Sequence, residues 1–405
     1  MFIALKKFPG CERMLKTTFG FGAVGIFIFF LVTSSHANIT EPGAIGVRAA
    51  GMSGAMEGTP VDLISAFYYN PAGLTKLAGQ RIAFSVLSPN IRFRYKNESG
   101  YSRMNHTMPF LPVFGYATDR YKPVIIGLGM YSSMGTGFNF KRAPSLGIPN
   151  NIESRIGVLS LLPTVAFRIH SRVAVGIELN VGYGKGEIEQ PTPGGFLEVD
   201  ADGIGFGGIL GVLFEVNPAL SFGIKLQSPM KSSLKGDAYL DGRKDDIDIE
   251  IYWPLMISFG IGYQPNPQFT LGISMKWADW TYFDRSKFSF DELKFLDRPL
   301  AKGSRDTVRV SIGMEHYLSK WLALRCGYFY DQYSTDSAWI SPMLPDMSSH
   351  HITTGIGIIW RQWEFDLATD YVLYLKRKIH TSMSGYPGEY SGYIPVIALE
   401  ASYRF

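Results

Sequence analysis

Cysteine is almost missing from this 405-residue chain, with Cys11 and Cys326 the only two. Cys11 falls in an N-terminal stretch with the features of a leader, so an internal disulfide framework, a cysteine zinc cluster and a CxxC redox site are all excluded. Charge is scarce as well, at 18% against about a quarter in an ordinary soluble domain. Beyond residue 40 no apolar run approaches the roughly 20 residues that a membrane-spanning helix needs. A multi-span helical membrane protein is therefore ruled out. Neither sign of charge dominates, since the formal net charge is +4, which removes nucleic acid as a partner. GxSxG, HExxH and a phosphate-binding glycine loop with its lysine are absent too. What the chain does have is 44 glycines, 28 phenylalanines and 22 tyrosines within a 46% hydrophobic composition. That mixture excludes disorder and points to a large all-β protein.

The one long apolar run stands at the front. Lys6, Lys7, Arg13 and Lys16 precede Phe19 to Val32, and Ser35-His36-Ala37 follows. This order is that of a secretory signal peptide, residues 1–37, with an N-terminal anchor as the competing reading. Its removal takes four basic residues and one acidic residue, Glu12, and leaves a nearly neutral chain.

From Gln80 onward the period is two. Leu220, Phe222, Ile224 and Leu226 alternate with Ser221, Gly223, Lys225 and Gln227; Val308, Val310, Ile312 and Met314 alternate with Arg309, Ser311, Gly313 and Glu315. Such strands have two unlike faces. A soluble sandwich and a membrane barrel share this pattern, but their connections differ. Short links at 119–123, 170–172, 217–219, 264–268, 318–320 and 360–363 alternate with long ones near 97–108, 132–154, 185–202, 228–250, 284–305, 334–350 and 376–392. Tight turns at one end and long loops at the other are the rule of outer-membrane barrels, whose strand number is even. The expected fold is an all-β, transmembrane antiparallel barrel of about 14 strands over residues 80–405. Tyr and Trp near strand ends, among them Tyr95, Tyr131, Trp253, Trp280, Tyr328 and Tyr371, suit interfacial belts. The final Phe405, alternating with Tyr403, resembles the signal read by the barrel-assembly machinery.

Residues 38–79 break the alternation and are rich in Gly and Ala. They are too apolar for a solvated tail, and a compact plug in the lumen suits them. Within them, Arg48-Ala49-Ala50-Gly51-Met52-Ser53-Gly54-Ala55 and Ala66-Phe67-Tyr68-Tyr69-Asn70-Pro71-Ala72-Gly73-Leu74 resemble the N-terminal hatch of the FadL/TodX transporters of long-chain fatty acids and hydrocarbons. The family's recurrent Asn-Pro-Ala falls on Asn70, Pro71 and Ala72, followed here by Gly73. Further stretches look similar along the whole mature chain, including Trp277-Ala278-Asp279-Trp280 and Leu344-Pro345-Asp346.

The resemblance implies a passive channel of the bacterial outer membrane with no cofactor and no metal. An apolar ligand would lodge first among the extracellular loops, for which Leu146, Ile148, Pro149, Phe196 and Leu197 are candidates, and then in the lumen. Release would pass sideways through a kink in the third strand. That strand runs from Val124 to about Met134, and Ser132, Ser133, Met134, Gly135 and Gly137 mark either the kink or an ordinary strand end. Sideways release into lipid spares an apolar solute about 0.8 kcal/mol per CH₂ exposed to water. A fatty acid would also need a cation, and Arg309, Arg325, Lys276 and Lys225 are candidates. Arg92 and Arg94 join them because Pro89 is expected to bulge the first strand and turn them into the lumen. The alternative for all six is pairing with lumenal Glu315, Glu364, Asp366, Asp370 and Glu400.

The expected partners are a hydrophobic small molecule, outer-membrane lipids and lipopolysaccharide, with the chain a monomer. Two other functions compete. A general porin lacks a reason for a plug, and a lipid hydrolase would need His106, His316, His350 or His351 beside a serine and an acid. The acidic run Asp245, Asp246, Asp248 and Glu250 and the pair His350-His351 are otherwise expected to be solvated.

Overall fold

The computed structural model describes residues 41–405 except 105–107, 147, 149, 193 and 384. The expected leader, residues 38–40, His106 and Pro149 lie outside the described residues. Among the described residues, fourteen strands close into one antiparallel ring. They are β1 (Arg81–Pro89), β2 (Leu111–Thr118), β3 (Val124–Phe140), β4 (Ile152–His170), β5 (Val173–Thr192), β6 (Gly195–Asn217) and β7 (Leu220–Gln227). The second half comprises β8 (Leu255–Asn266), β9 (Phe269–Asp279), β10 (Thr307–Ser319), β11 (Leu322–Asp331), β12 (Ser349–Trp360), β13 (Trp363–Tyr374) and β14 (Gly388–Arg404). Each strand pairs with its neighbours in sequence, and β1 closes the ring on β14 from Arg81↔Arg404 to Pro89↔Val396. Closure leaves the sheet without an edge, which a bilayer demands.

The period seen in the sequence fixes which face meets lipid. On β10, Val310, Ile312 and Met314 are exposed while Arg309, Ser311 and Glu315 are buried in the interior. On β13, Phe365, Leu367, Tyr371 and Leu373 point out and Asp366 and Asp370 point in. Cys326 lies on the outer face of β11. Trp321, Trp360 and Trp363 are exposed beside the two-residue turns, where ring systems suit the lipid–water boundary.

The long connections are built structure. β5 and β6 have 20 and 23 residues, so the expected loop at 185–202 is mostly ladder. At about 3.3 Å per residue this hairpin rises far beyond an apolar band about 25 Å tall. Strands Met230–Leu240, Arg243–Trp253 and Lys287–Phe290 continue the sheet beside it. Beneath them Trp253, Trp280, Phe283, Phe288 and Phe290 form an apolar core. Trp253 and Trp280 therefore belong to a folded outer domain and not to an interfacial belt. Asp245 is buried too, holding the backbone N–H groups of Asp246, Glu292 and Leu293; it is a loop anchor, where the sequence suggested a solvated run.

A candidate ligand site inside the barrel

Residues 41–77 are enclosed by the ring. Helix α1 (Val47–Gly51) lies against β11 to β14, helix α2 (Leu63–Tyr68) against β1 and β2, and a 3-10 helix (Pro71–Lys76) against β3 to β6. Between α1 and α2 the backbone runs past β7 to β10 so closely that a Cβ on Gly223 would stand 1.7 Å from Glu57 O, and one on Gly313 2.0 Å from Met52 O. Inward-facing wall glycines are what let two backbones touch. The sequence showed these glycines, but their common level appears only when the strands are in register.

Short polar side chains shape the segment. Asp62 caps α2 by accepting from Ser65 N at 2.8 Å. Asn70 caps the 3-10 helix through Ala72 N at 3.2 Å, and its amide donates to Glu57 O at 3.0 Å and to Val212 O on β6 at 2.9 Å. Pro71 occupies the first helical position, where it loses no hydrogen bond. Ala72 packs on Ala174 and Leu213, and a Cβ on Gly73 would fall 2.6 Å from Pro60. Each of the four residues has a steric or hydrogen-bonding reason for its identity.

The lumenal cations are all engaged. Arg325 bonds Glu315 at 2.6 Å and also Asp366, while Arg48 of α1 reaches the same Glu315 at 2.5 Å. Lys276 pairs with Glu41, and Arg309 with Asp331; Arg309 also donates to Gly43 O at 3.0 Å and Pro42 O at 3.3 Å. Lys225 donates to Tyr68 O at 2.7 Å and lies over the Tyr68 ring. Burial alone would raise the Glu41 carboxyl, yet Lys276 and Arg309 beside it hold it down to about 2.

Arg92 and Arg94 are not in the lumen. The β1 register against β14 passes unchanged from Pro89↔Val396 into Arg92↔Tyr393, so the bulge expected at Pro89 does not occur. Pro89 is tolerated because the ladder to β2 has already ended at Leu87↔Leu111, while Asn90 N still reaches Pro395 O at 2.8 Å. Ile91, Phe93 and Tyr95 instead point inward, into an apolar cluster with Phe138, Phe140, Ile148 and Tyr390. Above the lipid band the apolar face is no longer the outer one. The same cluster takes Leu146, and Leu197 packs into the outer core, so neither lines an open groove.

Third-strand geometry has two features. Toward β4 the ladder continues to Phe140↔Ile152, with a register shift between Ser132 and Met134. Toward β2 it runs only from Thr118↔Ile126 to Phe114↔Met130, although both strands continue. From Tyr131 to Phe138, which spans Ser132, Ser133, Met134, Gly135 and Gly137, every residue is buried. Tyr131, just past the last rung, contacts Tyr68 of α2 edge to face at 5.2 Å.

A cavity partly open to solvent lies between the tip of the N-terminal segment and the wall from β10 through β14 to β1 and Leu111 of β2. Leu87, Leu111, Val372, Ile394 and Val396 form its apolar side; Arg309, Asp331, His351 and Asp370 stand at its polar end. His351 is buried, contrary to the exposure expected of it. Its ring stacks on Phe329 at 3.7 Å, with Nδ1 2.8 Å from Asp370 Oδ2 and Nε2 3.0 Å from Ser349 Oγ. Ser349 is only 1% exposed, so this serine–histidine–acid contact braces the imidazole in the wall.

The model of the outer membrane protein transport protein family (OMPP1/FadL/TodX) matches residues 35–405, and the chain belongs to that family. It is a transport channel of the bacterial outer membrane, in a family that handles hydrophobic compounds, and not an enzyme. A Neisseria meningitidis serogroup B protein, named as belonging to the outer membrane, is 23% identical over 376 residues, 75% of this chain and 78% of its own. Three solved structures share the fold. A Pseudomonas aeruginosa FadL homologue superposes with a TM-score of 0.80 at 17% identity, covering 92% of this chain and 100% of that one. The toluene transporters TodX of P. putida and TbuX of Ralstonia pickettii give 0.73 and 0.71, each at 18% identity over 90% of this chain and 99% of theirs.

Proposed function

We propose that the chain takes up hydrophobic molecules passively, holds them in the cavity between the N-terminal segment and the wall, and releases them sideways between β2 and β3. Residues 38–79 act as the hatch of the barrel 80–405. One observation carries the reading: the apolar side of the cavity includes Leu111, a β2 residue beyond the last rung of the β2–β3 ladder. A ligand there has an apolar surface on one side and an interrupted wall beside it. Motion of the tip, Glu41 to Gly43, reaches that gap through Tyr68, whose hydroxyl donates to Glu41 at 2.8 Å and whose ring meets Tyr131.

The test is a cysteine pair at Val113 and Tyr131, the positions the ladder would pair next, in a Cys326→Ser background. Oxidation should stop uptake of a labelled alkane or aromatic, and reduction should restore it. Unaltered uptake by the cross-linked barrel would sink sideways release. A general porin would instead conduct ions steadily in planar bilayers.

A further inference from the structure

The polar end of the cavity does not suit a carboxylate. Arg309, its one guanidinium, commits Nη1 to Pro42 O and Gly43 O and Nη2 to Asp331. Lys276, which could have served, is held by Glu41. Three carboxylates, Glu41, Asp331 and Asp370, stand around the cavity against that single guanidinium. An incoming carboxylate would have to strip one of these pairs and leave a buried anion unpaired, at strong cost.

Two atoms at this end lack partners among the described residues. Asp370 is 6% exposed; its Oδ2 holds His351 while Oδ1 accepts from none of the described residues, and Arg309 Nε donates to none of them. An orphan acceptor on a nine-tenths-buried carboxylate, facing a cavity whose wall also includes Leu87, Leu111, Val372, Ile394 and Val396 together with the already engaged Tyr374, calls for an apolar body that carries a proton donor. A hydroxyl is the simplest such group, since it donates once and still accepts. A plain hydrocarbon would fill the apolar part and leave the carboxylate oxygen desolvated and unsatisfied.

Resting on the channel reading above, we infer that this cavity selects an uncharged amphiphile that leads with a hydroxyl, an alcohol or a phenol, over the corresponding carboxylate or hydrocarbon, with Asp370 as the specificity-determining residue. The purified full chain in detergent is loaded with the neutral apolar fluorophore N-phenyl-1-naphthylamine. Octane, 1-octanol and octanoate are then titrated against it at pH 7.5. Octanol should displace the probe at least about tenfold more tightly than either of the others, the range of a hydrogen bond to a charged acceptor. In Asp370→Asn the advantage of octanol over octane should shrink to within about threefold. Equal displacement by octane and octanol, or tightest binding by octanoate, overturns the inference and leaves the channel reading standing. No displacement by any of the three removes the cavity as a ligand site and so defeats the channel reading itself. The wild-type series needs no variant, so the outcome does not depend on whether Asp370→Asn folds.

Discussion

The N-terminal segment meets opposite halves of the barrel through two unlike kinds of contact. Toward β10 to β14 it is held by directional charge: Arg48, Glu315, Arg325, Glu364 and Asp366 interlock, and Val47 N donates to Glu400. Toward β2 and β3 it presents Ile64 and Phe67, packed onto wall glycines so tightly that a Cβ on Gly127 or Gly129 would come 2.8 Å from the Phe67 ring. On the charged side the ladder runs from Val310↔Tyr330 to the turn with one register shift beside it, between Tyr317 and Ser319, whereas on the apolar side it stops at Phe114↔Met130. Charge pairs in a low-dielectric lumen are costly to part, whereas apolar surfaces can slide over one another with little loss. The contrast teaches that the segment has a side locked by charge and a side packed by apolar contact, and that the wall's ladder stops short on the apolar one.

Four experiments break or sharpen this contrast. Arg325→Met removes the hub of the charge-locked side and leaves Glu315 and Asp366 buried with unbalanced charge. A loss of about 4 kcal/mol is expected, read as a lower midpoint in heat-modified electrophoretic mobility. Phe67→Ala, on the apolar side, should cost about 3 kcal/mol through the cavity it leaves, and should in addition speed uptake of a labelled hydrocarbon, which Arg325→Met should not. If both variants alter uptake alike, the two sides are not distinct. Asn70→Ala joins neither side; it unties Glu57 O and Val212 O from the 3-10 helix, for about 2 kcal/mol, and should show as faster proteolysis within residues 52–76. The smallest effect is expected from acid. Because Lys276 and Arg309 hold the Glu41 carboxyl down to about 2, below the ordinary 4.5, its contribution is complete above 4.5 and is lost only as pH falls toward 2. Lowering pH from 7 to 5 should leave a spin label beside Glu41 as immobile as before, and release by pH 5 would show that the tip is held otherwise.

Much of the architecture was legible because β periodicity is local. Val310 and Arg309 are neighbours, and their opposite faces follow from the pleat alone. Short turns were legible for the same reason, as at Arg361-Gln362 between β12 and β13. Reading failed where the lipid band ends. Ile91, Phe93 and Tyr95 alternate as a lipid-facing set would, yet they pack inward beneath the loops, since above the bilayer the outer surface is water. It failed again at 185–202, read as one of the long links; the β5–β6 hairpin persists there because the strand Met230–Leu240 pairs alongside it. Burial of Asp245 and His351 was likewise invisible, for their partners Leu293 and Asp370 lie 48 and 19 residues away.

The sequence by itself determined the barrel, its lipid face and, through the motif around Asn70, the family. Those features repeat every two residues or sit within one short segment, so neighbours along the chain carry them. Only the tertiary structure decided which carboxylate holds which cation, where the β2–β3 ladder stops, and that one Asp370 oxygen has no hydrogen-bond partner among the described residues. Arg48 and Glu315 are 267 residues apart, and nothing in either neighbourhood names the other. Partners of that kind are chosen by the curvature of a closed wall, which brings strands together only once the ring is complete.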